Sequence, residues 1–178
     1  MIYDINLMVN PAPKPKKPED LRWEDIAEEV LGGIRSLKAP KSLRDYPIRK
    51  LVTHAQALGY YLADQNVKTN QLRKFLDAVN RIKADLRQEN DVRLSEVEVE
   101  LQVLKPKLAY AVGRSDKREK TALDSFSQVI SIAIDSVKNA ELIKTEKDKK
   151  EFREDFDRLV YLIESVVAYH KAAGGRNQ

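Results

Sequence analysis

The residues best equipped for chemistry stand at 104–114, Leu-Lys-Pro-Lys-Leu-Ala-Tyr-Ala-Val-Gly-Arg. Three cations, Lys105, Lys107 and Arg114, share this stretch with one aromatic, Tyr110, and no acid. Such a set suits a nucleic-acid backbone, with cations on phosphates and the ring against a base or sugar. The blander reading of the same residues is a kinked core helix with solvated lysines. A second basic cluster precedes it. From 68 to 87 there are six cations and two acids, and from 105 to 120 again six and two. Each cluster therefore carries +4, which is the net charge of all 178 residues. The remainder of the chain must be net acidic, an asymmetry that points to a polyanionic partner. The candidate binding residues are Arg73, Lys74, Lys105, Lys107, Tyr110 and Arg114, with Arg81, Lys117, Arg118 and Lys120 as outer contributors.

Other chemistries find no footing. There is no cysteine, hence no thiolate nucleophile, disulfide or thiolate metal site. Two histidines, His54 and His170, cannot build a histidine-rich metal site alone, and His54 reads as a packed, hydrogen-bonded residue. Six glycines form no Gly-x-x-x-x-Gly-Lys phosphate loop. Glu154, Asp155 and Asp157 sit among arginines and lysines, and Glu96, Glu98 and Glu100 alternate, so they cannot share one helical face. No catalytic residue, metal, cofactor or small-molecule substrate is read from the sequence. No run of 18 apolar residues exists to span a membrane. The first residues, Met-Ile-Tyr-Asp-Ile-Asn, lack the cationic-then-apolar pattern of a secretory signal, so the cytosol is the expected compartment.

The elements that position the cations are helical. Leu94, Val97, Leu101, Leu104, Leu108 and Val112 recur every three or four residues, one face of a helix that continues in phase across Pro106. The chain either kinks there or starts a new helix with Pro106 in its first turn. Thr69 is read as the cap of a helix over 70–88, with Leu72, Phe75, Leu76, Val79, Ile82 and Leu86 inward. Helices are also expected over 19–37 and from Pro47 to about residue 63, with Ile48, Leu51, Ala55, Leu58 and Leu62 inward. A further helix over 117–140 should lie centrally. A last one begins at Thr145-Glu146-Lys147-Asp148, a capping box with aspartate in the usual glutamate place, and ends before Gly174. Gly113 suits a left-handed helix end, and Arg176 with the last two residues should fray. The expected fold is all-α, a compact bundle of about five to six helices over 19–178. Residues 1–18, rich in proline and lysine, should form an extended or disordered segment.

Two motifs together are more specific than either alone. Thr69-Asn70-Gln71-Leu72-Arg73-Lys74-Phe75 and the run ending at Arg114, followed by a closing helix with Tyr169-His170-Lys171, resemble the small subunit of the type III-A CRISPR effector complex, the Csm complex. The resemblance runs from about residue 67 to 174, and residues 1–45 take no part. It implies a non-catalytic, all-helical subunit. It further implies copies stacked along the guide RNA–target RNA duplex, contacting its backbone without reading sequence, beside the other subunits. Self-association along the filament, no small-molecule substrate and no membrane go with it. A protein-only helical adaptor or regulator stays open from the residues themselves. Continuity of the two basic clusters on one surface decides between the readings.

Overall fold

The computed structural model describes residues 42–88 and 94–176, together with Gly32. Five α-helices account for these residues, with no strand among them: α1 (Ile48–Asp64), α2 (Thr69–Gln88), α3 (Leu94–Gly113), α4 (Lys117–Asp135) and α5 (Glu146–Ala172). Short 3₁₀ turns at Leu43–Asp45 and Ala140–Leu142 punctuate the bundle. The all-α expectation therefore holds. The helix expected over 19–37, apart from Gly32, and the extended segment over 1–18 lie outside the described residues.

The longest helix, α5, is the hub. It packs on α1, α2, α4 and the first 3₁₀ turn, whereas the central place was expected for α4. Its buried side chains explain this: Phe152, Phe156, Leu159, Val160, Leu162, Ile163, Val166 and Val167 cover more than one face. At its start the capping box is formed. Thr145 Oγ1 accepts the Asp148 N–H at 3.1 Å, and Asp148 accepts the Thr145 N–H at 2.9 Å, satisfying two helix-end donors reciprocally.

Helix α1 crosses α5 at Gly59. A β-carbon there would stand 2.7 Å from the Val166 carbonyl and 2.8 Å from the His170 nitrogen, so only glycine permits the approach. Leu51, Ala55, Leu58 and Leu62 face inward as their spacing requires, but Ile48 at the first position is 44% exposed. His54 is buried and hydrogen-bonded to the Tyr46 hydroxyl, the packed role expected of it. The helix ends in a Schellman arrangement. Asn66 takes φ 61°, the Val67 N–H reaches the Leu62 carbonyl and the Asn66 N–H the Ala63 carbonyl, both at 3.0 Å.

Helix α2 begins at Thr69 itself rather than after it. The Thr69 hydroxyl is buried and turned to His170, 3.5 Å from Nδ1. The Lys68 N–H is met instead by Gln71 Oε1 at 3.1 Å. The Thr69 N–H donates to the Arg176 carbonyl at 2.8 Å, so Arg176 is tied down where fraying was expected. Gly175 lets the tail cross His170: a side chain there would fall on the imidazole ring.

Helix α3 runs unbroken through Pro106, which settles the choice between one helix and two. Its buried residues are Val97, Leu101, Leu104, Leu108 and Val112, the stripe read from the sequence. Gly113 is the last residue of the helix and does not take a left-handed φ; among the described glycines only Gly174 does, at 87°.

Helix α4 stops at Asp135, five residues earlier than expected. The cause lies in another element. Asp155 on α5, with no exposed side-chain surface, accepts the Lys138 N–H at 3.0 Å, the Arg44 N–H at 2.8 Å and the Ser42 hydroxyl at 2.6 Å. The Ser136 carbonyl accepts the Leu43 N–H at 2.9 Å. Backbone groups that a longer helix would have used are thus taken by side chains and by the first turn.

Candidate nucleic-acid interface

A groove of about 840 Å³ runs between α2 and α3. Its cations are Lys74 and Arg81 from α2, and Lys107 and Arg114 from α3. Each pair is spaced i, i+7, two turns of helix and hence the same face. Residues from the two basic clusters, separate in sequence, thus meet on one surface. The floor is apolar, with Phe75, Ala78, Leu104 and Ala111. One acid, Asp77, lines it, against four cations. At the edge Glu100 comes 3.8 Å from Arg81, both well exposed. An exposed pair at that distance contributes about 0–1 kcal/mol and gives way readily to a phosphate. Lys74 and Lys107 are exposed and make no ion pair among the described residues.

Tyr110 also lines the groove and is 65% exposed. Its neighbours Leu108 and Val112 are buried, so the ring is not a core side chain despite its place between them. One turn on, the Arg114 guanidinium lies 5.5 Å from the ring centroid and donates to the Tyr110 hydroxyl at 3.2 Å. The contact stabilises by about 0.5–1 kcal/mol at an exposed site and favours this placement of the ring.

Not every candidate reaches the groove. Lys105 is paired with Asp135 of α4 and three-quarters buried. At about 100° per residue it projects some 200° from Lys107, on the other side of α3. Arg73 is exposed on α2, one residue from Lys74, outside the lining. Lys117, Arg118 and Lys120 are exposed at the start of α4. The Arg118 guanidinium donates to the Asp64 carbonyl at 3.3 Å, a cation on the C-terminal end of α1. Lys83 leans over the Tyr161 ring at 5.6 Å. Sequence reasoning missed Gln71, Asp77 and the apolar floor. The signal available was the i, i+7 spacing of Lys74 with Arg81 and of Lys107 with Arg114.

The chain matches the model of one family, Csm2 Type III-A, over residues 45–176. That span takes in all five helices and reaches the Arg176 carbonyl that closes on α2. The chain belongs to the Csm2 Type III-A family. Membership makes it a small subunit of the type III-A CRISPR effector complex, one of a family of structural subunits. No curated protein matches the chain. The Csm2 match begins earlier than the motif resemblance, since it includes α1, and like it leaves out the N-terminal residues. Among the described residues no group of histidines or acids could hold a metal ion. No helix there is long and apolar enough to cross a membrane. Two acids of these helices have structural partners: Asp155 of α5 as above, and Glu98 of α3 with the Ala140 N–H at 2.6 Å. Other charged residues are likewise committed within the fold. Lys138 bridges Asp148 and Glu151, and its ammonium holds both carboxyls below the usual carboxylate range.

Proposed function

We propose that the α2–α3 groove is the surface by which this subunit holds the RNA backbone in the cytoplasmic effector complex. Lys74, Arg81, Lys107 and Arg114 would take phosphates, which fixes position and carries no base identity. Arg73, Lys117, Arg118 and Lys120 would extend the field beyond the groove, and Lys105 would join only if its pair with Asp135 opened. Copies of the chain would stack along the guide–target duplex beside the other subunits, leaving the RNA cutting to another subunit. The observation that supports this most is the meeting of two distant basic clusters across one groove, with a single acid among four cations.

A protein-only adaptor is the second reading. Val99 and Val103, 62% and 42% exposed one turn apart on α3, favour it as a protein contact. Salt-dependent binding separates the two. RNA binding by phosphate contacts weakens with salt, and each lost contact flattens the log–log slope by roughly one. A combined Lys74→Gln, Lys107→Gln, Arg114→Gln variant should bind guide–target duplex far more weakly and with a flatter slope, at unchanged helix content. Parental affinity and slope in a folded triple variant would favour the adaptor.

A further inference from the structure

A surface that meets only phosphates needs no apolar floor. Phosphates lie on the outside of a duplex, while the base faces are stacked within it and cannot reach a groove. Here Phe75, Ala78, Leu104 and Ala111 floor a concavity whose rim carries the cations. Its size, about 840 Å³, falls in the range of pockets that enclose a small ligand. The lining also includes an exposed aromatic ring, Tyr110, in contact with Arg114. A ring already biased toward one placement loses less freedom when a base stacks on it, and a guanidinium plane offers a second stacking surface.

Taken with the charge, these features select a ligand that is flat and apolar in its middle and anionic along its edge. An unpaired ribonucleotide within an RNA strand has that form. We propose that the α2–α3 groove receives an unpaired nucleobase, stacked on Tyr110, while the flanking phosphates rest on Lys74, Lys107 and Arg114. This rests on the RNA-binding reading above and adds to it a preference for RNA with an extruded base over fully paired RNA. Base identity should matter little. Stacking is open to every base. Purines should exceed pyrimidines through their larger stacking area.

The test uses the full chain and three labelled RNA duplexes alike in length and pairing: one fully paired, one with a single bulged adenosine, one with an abasic residue at the bulge. The abasic duplex keeps the sugar, phosphate and distortion and lacks only the base. Fluorescence anisotropy should show the bulged adenosine bound at least about fivefold more tightly than the abasic site, the low end of one base–aromatic stack. Tyr110→Ala should abolish that ratio, Tyr110→Phe should keep it, and Lys107→Gln should weaken both duplexes alike. Equal affinity of the parent chain for bulged and abasic duplexes overturns the inference; if both still bind with a salt-dependent affinity, the backbone reading stands without it. A ratio that survives Tyr110→Ala in a folded variant also overturns it, since the base then stacks elsewhere. Absence of salt-dependent binding to all three sinks both readings.

Discussion

The carboxylate of Asp155 accepts the backbone N–H of Lys138 at 3.0 Å and so joins the middle of α5 to the chain just beyond α4. The same carboxylate holds Ser42 and Arg44, which fixes the first 3₁₀ turn against the bundle. One buried acid thus sets where α4 stops and where the chain enters α1. Asp155→Ala should leave several donors unpaired at a buried site. The expected loss is about 3–5 kcal/mol, the scale for breaking a buried charge pair from one side. Asp155→Asn keeps one acceptor oxygen and should cost less. Urea unfolding measures both, and a loss for Asp155→Ala below 1 kcal/mol would show that the clasp is not needed.

Glycine substitutions should separate two positions that look alike in sequence. Both Gly59 and Gly113 lie in helices, where alanine is intrinsically favoured by about 1 kcal/mol. At Gly113 a β-carbon meets nothing within 4 Å, so Gly113→Ala should be neutral or stabilising by about 0.5–1 kcal/mol. At Gly59 it meets α5 backbone at 2.7 Å, and backbone cannot step aside. Gly59→Ala should therefore destabilise by about 1–3 kcal/mol through separation of α1 from α5. Thermal melts of the two variants should move in opposite directions or differ clearly in size.

Acid should weaken the fold in two windows. His170 is buried and donates from Nε2 to the Val67 carbonyl at 2.8 Å, with Nδ1 toward Thr69. Burial pushes its pKa below the ordinary 6.5, and nearby Lys171 adds to this against the opposing Val67 hydrogen bond. The unfolded chain then takes up the proton first. The histidine's contribution is present above pH 6.5 and is lost as pH falls through the lower folded value. Lower down, Asp148 and Glu151 are held below their ordinary 3.8 and 4.5, first of all by hydrogen bonds from Lys138. Their contribution is present above pH 4.5 and fades below it. His170→Gln, which retains a donor for Val67, should flatten the upper window alone, and Lys138→Met the lower one. Stability measured against pH checks both, and an unchanged upper window in folded His170→Gln would refute the first assignment.

Much of this architecture was legible because helical spacing is a local property. The stripe from Val97 to Val112 keeps its phase whatever Pro106 does to one hydrogen bond, and the structure follows it. The end of α4 was not legible, since Asp155 sets it from α5 and the Leu43 N–H adds to it. Nor was the central place of α5, which depends on how many sides of it meet partners. Tyr110 was ambiguous for a related reason: Leu108 and Val112 flank it in sequence, yet each is 200° away around the helix. The cations were found as clusters, but counting charge discards direction. Direction was present in the spacing, and it would have separated Lys107 from Lys105.

That separation supplies the sharpest test of the groove. Lys105 and Lys107 have the same chemistry, lie two residues apart and belong to one helix. Lys107 lines the groove, while Lys105 is paired with Asp135 on α4. If RNA binding followed net charge alone, Lys105→Gln and Lys107→Gln would weaken it equally. If it follows the groove, Lys107→Gln should reduce affinity for guide–target duplex and lower the salt slope by roughly one. Lys105→Gln should leave the slope unchanged and cost at most about 1 kcal/mol of stability, the scale of a partly exposed ion pair. The paired variant Asp135→Asn supplies the remaining arm. It releases Lys105 without removing charge from α3, so it should not weaken RNA binding. Equal losses from Lys105→Gln and Lys107→Gln, measured at the same ionic strength, would mean that the chain binds RNA through a diffuse basic surface rather than through this groove.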